Sequence, residues 1–216
     1  GVEKPNDGVS ARIGLIVLYG LLAAAVAILA TVAIERFGGR VGGLLASVPT
    51  TILPASIGIW FEVSEPDFVW AMAIVPMGML VNAFFLWLWR IVPPRLTVEG
   101  LKMRLSVMLF VAVLGWACAA ASGLYVFDRG RSSGLSPISL GVITTLVMLV
   151  FGIAACYRNP PAPRGQKSVP VVILAARGLL AGACIVFSVW LSGLGLPLLS
   201  GIASVFPAIF LTTMVA

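Results

Sequence analysis

Val41-Gly42-Gly43-Leu44-Leu45-Ala46-Ser47-Val48-Pro49-Thr50-Thr51-Ile52-Leu53-Pro54-Ala55-Ser56-Ile57-Gly58-Ile59-Trp60-Phe61 is long and apolar enough to cross a bilayer, yet it carries two prolines near its centre. Each proline lacks a backbone N–H, and its ring clashes with the carbonyl four residues back. The stretch is therefore expected to be helical at its ends and kinked or unwound around Pro49 and Pro54. Irregular backbone at membrane depth survives only where protein buries it or a water-filled cavity receives it. The hydroxyls of Ser47, Thr50, Thr51 and Ser56 stand where they can bond freed backbone groups or face a passing solute.

Outward from this segment the chain repeats the same length scale. A helix needs about 20 apolar residues to cross the ~30 Å hydrocarbon core. Besides Val41–Phe61, the runs Ile13–Ile34, Phe68–Trp89, Leu105–Phe127, Ile138–Tyr157, Val169–Leu191 and Leu194–Ala216 meet that length. The 216 residues are 60% hydrophobic and 10% charged, with mean hydropathy +1.10. A soluble domain carries roughly a quarter charged residues, so that class is excluded. A β-barrel would show alternating segments of about ten residues. The expected fold is an all-α, polytopic transmembrane helix bundle of about seven apolar runs, forming a single membrane domain over 1–216. The last run reaches Ala216 without a polar tail, so the chain is expected to continue beyond it. Trp60, Trp70, Trp87, Trp89, Tyr125, Tyr157 and Trp190 lie at run ends, the interfacial level that amphipathic rings favour.

Several chemistries are missing. Histidine is absent, and Cys118, Cys156 and Cys184 lie in or at the edge of apolar runs without CxxC spacing. No metal site, disulfide framework or cofactor is expected. There is no GxxxxGK[ST] loop for nucleotide phosphates, no Ser/His constellation and no intramembrane carboxylate pair, so the chain does not read as an enzyme. The net charge of +6 is spread over loops beside the spans, which fits the positive-inside bias and not nucleic acid.

The basic loops Arg90–Arg104 and Arg158–Ser168 each contain a Pro-Pro pair that stops the preceding helix. If all runs cross, nine positive residues lie on their side and four on the other. If Val41–Phe61 dips in and returns, the split is again nine to four. Both arrangements place loops 90–104 and 158–168 on the cytoplasmic side. The side of the N-terminus stays open.

A second broken segment follows near the end: Ser200-Gly201-Ile202-Ala203-Ser204-Val205-Phe206-Pro207. Gly20-Leu21-Leu22-Ala23 matches Gly178-Leu179-Leu180-Ala181 at an offset of 158 residues. The same offset pairs Gly43 with Gly201 and Pro49 with Pro207, whereas Pro54 falls on Thr212. These matches define candidate repeat units 13–61 and 171–216. The copies are inverted if the second run crosses, and parallel if it is re-entrant. Arg177 lies inside the sixth run; an intramembrane charge marks a functional candidate, against the alternative that its stem snorkels to the interface. Asn82, mid-span beside Pro76 and Gly78, reads as an interhelical hydrogen-bonding residue, and Thr144 and Thr145 read as bonded to their own helix.

The turns Gly42-Gly43-Leu44-Leu45-Ala46-Ser47-Val48-Pro49-Thr50-Thr51 and Ser200–Pro207 resemble those of uncharacterised multi-span, permease-like membrane proteins with two Gly/Pro-interrupted repeat segments. The resemblance covers the broken segments and the helices before them, implies a permease-like protein, and puts Arg177 in the place of an Arg in the family's second copy. It does not extend to Leu105–Tyr157.

The expected function is a transporter or permease for a small-molecule solute, with a mild preference for an anionic or carboxylate-bearing one. Ser47, Pro49, Thr50, Thr51, Pro54, Ser204 and Pro207 would line the site, with Arg177 as counter-charge. The alternatives are a non-catalytic subunit of a larger membrane complex and a passive channel. Expected partners are the lipid bilayer and the solute; a homo-oligomer or other membrane subunits stay open.

Overall fold

The computed structural model describes residues 7–37, 50–96, 100–157 and 170–207, and all regular structure among them is helical. The chain forms α1 (Asp7–Phe37), α2 (Ile52–Glu62), α3 (Glu65–Ala73), α4 (Val75–Ile91) and a 3-10 turn at Pro93–Arg95. It continues through α5 (Leu101–Ser132), α6 (Pro137–Cys156), α7 (Val171–Gly193) and α8 (Pro197–Ala203). Five helical segments are long and apolar enough to cross a membrane: Arg12–Ala33, Glu65–Arg95, Leu101–Ser132, Pro137–Ala155 and Val171–Gly193. The protein is thus an all-helical, multi-pass membrane protein. Of the other two expected runs, the second is represented by α2 and the seventh by α8. Their remaining residues lie outside the described part.

Helix boundaries follow local chemistry. Ser64 is extended, Pro66 stands in the first turn of α3 where no N–H is needed, and Glu65 and Asp67 complement the positive helix start. Proline likewise opens α6 and α8. At the end of α7, Leu196 N–H reaches the Leu191 carbonyl (3.2 Å) and Gly195 N–H that of Ser192 (2.9 Å). This is a Schellman turn, and the left-handed φ of +77° at Gly195 is what requires glycine there. The bend expected at Pro76 and Gly78 falls at Ile74, between α3 and α4, since Pro76 offers no N–H to the carbonyl of Met72.

The helices have two chemically different ends. At one, Arg12 pairs with Glu62 (2.6 Å) and Arg131 with Asp67 (2.9 Å), bringing together the start of α1, the end of α2, the start of α3 and the end of α5. At the other, Arg90 donates to the Ala155 carbonyl (2.7 Å) and Arg104 to that of Pro93 (2.5 Å). Among residues 90–96 and 100–104 the charged side chains there are all positive: Arg90, Arg95, Lys102 and Arg104.

The most extensive packing joins α1 and α7. A Cβ on Gly182 would stand 2.7 Å from the Gly20 carbonyl oxygen and 3.3 Å from Ala24 Cβ. A Cβ on Gly178 would stand 2.8 Å from Ile28 and 3.4 Å from the Ala24 carbonyl oxygen, and one on Gly20 would run into Val186. Higher numbers on α1 meet lower ones on α7, so the two helices are antiparallel. Their glycines let the backbones approach as in small-residue membrane crossings.

Two buried clusters complete the interior. Ile16, Tyr19, Ala23, Ala55, Ile59, Ala71, Ile185 and Val189 join α1, α2, α3 and α7. Trp70, Ile74, Val81, Ala120, Phe127, Leu140 and Ile202 join α3, α4, α5, α6 and α8. The helix α3 belongs to both. On α6, Ile143, Leu146, Val150 and Ile153 are exposed, the surface expected of a lipid-facing helix.

Candidate functional site at the broken helices

Each of the two proline-containing segments is described on one side only. Thr50 and Thr51 form a half-buried turn, after which α2 runs 11 residues to Glu62 at the ion-paired end. At 1.5 Å per residue that is ~16 Å, about half of a ~30 Å hydrocarbon core. The turn therefore sits near mid-depth. Ser47 and Pro49 lie outside the described residues.

Pro54 differs from the sequence expectation. It is the third residue of α2 and is buried there, in the first helical turn, where a missing N–H leaves no intrahelical bond unmade. Pro54 helps to start a helix instead of breaking one, and the turn at Thr50 and Thr51 comes just before it.

The second break is richer in contacts. The helix α8 enters from the ion-paired end and stops after seven residues, with Ser204 and Val205 in a turn and Pro207 buried. The last turn tightens: Val205 N–H reaches the Ile202 carbonyl (3.4 Å) and Phe206 N–H that of Ala203 (3.1 Å). The Val205 carbonyl accepts from Asn82 Nδ2 of α4 (2.6 Å), and Asn82 Oδ1 accepts from Trp116 Nε1 of α5 (2.8 Å). The Trp116 ring meets Phe206 edge-on, centroids 5.0 Å apart. A relay of two hydrogen bonds thus ties three segments together at the place where the helix ends. Asn82 is interhelical, as its position suggested, and its partner Trp116, mid-helix in α5, gains a polar role. Sequence reading also passed over Ser188. Its hydroxyl donates to the Ser200 carbonyl (2.8 Å) and fastens α8 to α7.

Ser204 is buried, and its hydroxyl donates to the Gly201 carbonyl of its own helix (2.7 Å). With the donor engaged, its oxygen retains acceptor capacity. Thr144 and Thr145 also bond their own helix, at Leu140 and Gly141. Arg177 is 5% exposed, so it is enclosed by the bundle and does not lie along the lipid surface. It stands ~9 Å along α7 from Val171, toward the basic end.

Both α2 and α8 pack on α7 and α3, which are therefore the elements shared by the two breaks. Among the described residues the arrangement places backbone carbonyls and hydroxyls at membrane depth, with the Asn82 amide engaged on Val205 and Trp116. Among the described residues no group of three Cys, Asp or Glu side chains converges as a metal ion would require. No protein-family model, curated protein or solved structure matches this chain.

Proposed function

We propose that the protein is a secondary transporter or permease with inverted repeats, and that a small solute binds between its two interrupted segments at mid-depth. The observation that carries this reading is that α1 and α7, the helices related by the 158-residue offset, cross antiparallel. Under the 158-residue offset, Gly20, Ala24 and Ile28 correspond to Gly178, Gly182 and Val186. Gly20 faces Gly182 while Ala24 faces Gly178, and Gly20 faces Val186 while Ile28 faces Gly178. Any antiparallel helix pair meets in this reciprocal way, so the contacts agree with an inverted relation, and it is the 158-residue match of Gly20-Leu21-Leu22-Ala23 with Gly178-Leu179-Leu180-Ala181 that suggests one. Since the helices are antiparallel, the relation supported is an inverted one. Discontinuous helices in inverted repeats, with binding at the discontinuity, are a recurring transporter architecture.

The same geometry supports a full crossing of the second run. The helix α1 starts and α2 finishes at the same ion-paired end, which fits a second run that crosses fully. Seven crossings then put the basic loops 90–104 and 158–168 in the cytoplasm and the N-terminus on the opposite side. Thr50, Thr51, Ser204 and Pro207, with Ser47 and Pro49, line the site in this reading, and Arg177 favours an anionic or carboxylate-bearing solute.

The test is uptake by proteoliposomes of a panel of labelled organic anions, such as lactate, succinate and glutamate. Uptake above protein-free vesicles, falling at least tenfold in Pro207→Ala, is expected. No uptake of any anion, or uptake indifferent to Pro49→Ala and Pro207→Ala, defeats the reading.

A further inference from the structure

We propose that the groove between α5 and α7, floored by α8, binds a single hydrocarbon chain of a bilayer lipid from the leaflet at the ion-paired end. The groove has a volume of about 440 Å³ and is walled by Trp116, Ala120 and Leu124 of α5, Cys184 and Phe187 of α7, and Phe206. It adjoins the second break through Ala203 and Phe206, and it stands whether or not the protein transports anything.

Three features select this occupant. The first is chemistry. The wall is carbon almost throughout, and its indole N–H is already spent on Asn82. Water needs two to four polar partners to stay in a cavity, and a polar solute would lose its hydration here without replacement. The second is size. An apolar cavity of about 150 Å³ accepts benzene, with its six carbons, so about 440 Å³ scales to roughly eighteen carbons, the content of one acyl chain.

The third is depth and access. Trp116 lies at the middle of α5, and the wall runs from there to Leu124, toward the Asp67–Arg131 ion pair. Eight residues span ~12 Å, close to the ~15 Å hydrocarbon depth of one leaflet. Phe187 and Leu199 at the rim are 51% and 40% exposed, so the groove is continuous with the surface that the bilayer bathes. A chain already at that depth enters sideways without meeting water. The alanines at 117, 120, 121 and 203 leave the hollow that larger residues would fill.

The experiment uses the protein in phosphatidylcholine vesicles containing a tracer of phosphatidylcholine with a diazirine on one acyl chain. After illumination, mass spectrometry maps the adducts. Adducts on residues 116–124 and 199–206 are expected at least fivefold above those on the flat face of α6 at Leu146 and Val150. Ala121→Trp and Ala203→Phe, which fill the groove, are expected to lower the groove adducts to the α6 level while leaving α6 labelling unchanged. Groove labelling equal to that of α6 in the unaltered protein overturns the proposal without reliance on any variant. So does labelling that persists in both filled variants.

Discussion

Asn82 makes two hydrogen bonds, one to the turn that ends α8 and one to a tryptophan 34 positions away. Its loss leaves the Val205 carbonyl and the Trp116 N–H unpaired inside the bundle, at about 1–3 kcal/mol for an abandoned buried group. Asn82→Leu is therefore expected to lower the thermal midpoint in detergent by several degrees. Trp116→Phe removes one donor and retains the ring against Phe206, so its loss should be smaller. Equal midpoints for Asn82→Leu and the unaltered protein would count against the relay as a stabilising feature. At this scale the sequence was partly legible. A lone Asn in the middle of an apolar run has few ways to be satisfied, so its interhelical role could be read directly. Its partner could not, because Val205 is 123 positions away and offers only a carbonyl, which every residue possesses. Pro54 shows the converse. Proline breaks a helix or starts one depending on where the helix begins, and that position is set by Thr50 and Thr51 turning.

For the elements, the decisive contact is that of α1 with α7. The Gly182 position faces backbone at 2.7 Å, which cannot yield as a side-chain tip can, whereas Gly14 has open space around it. Gly182→Val should thus destabilise by about 1–3 kcal/mol, the range for overpacking, while Gly14→Ala should fall within about 0.5 kcal/mol of neutral. Unfolding in sodium dodecyl sulfate mixtures compares them. The antiparallel register is open to a separate check. Ala24→Cys with Gly182→Cys, whose Cβ positions stand 3.3 Å apart, in a background lacking the native cysteines, should form a disulfide on mild oxidation, and pairing Ala24→Cys with Val186→Cys should not. Hydropathy found the spans because roughly 20 apolar residues are hard to conceal. It missed their ends, since criteria built on apolarity exclude the polar residues that begin and finish a helix. Phe68–Trp89 thus became Glu65–Ile91, starting at an acidic first turn, and Leu105–Phe127 grew to Leu101–Ser132, ending in Arg129 and Arg131.

Across the whole molecule, the ion-paired and basic ends make a prediction about orientation. Single cysteines in place of Ser133 and Lys102 should react with an impermeant maleimide from opposite sides of a sealed vesicle, Lys102→Cys from the cytoplasmic side. Reaction of both from one side would refute the bundle's end-to-end arrangement. The architecture was legible in the sequence as far as a helical membrane bundle, and the 158-residue offset hinted at a duplication. Charge counting gave nine against four for either topology, so the sequence left the path of the second run open, and the full crossing proposed above rests on Arg12 meeting Glu62. Helix length carries one further consequence. The helix α6 has 20 residues and α5 has 32, about 30 and 48 Å at 1.5 Å per residue. With no spare length, α6 matches an average bilayer only when nearly upright, whereas α5 has surplus to lean or to protrude. Moved into a thicker, sterol-rich membrane, the protein would find α6 too short. The lipid around that helix would have to thin, and the mismatch would favour residence in thinner membranes.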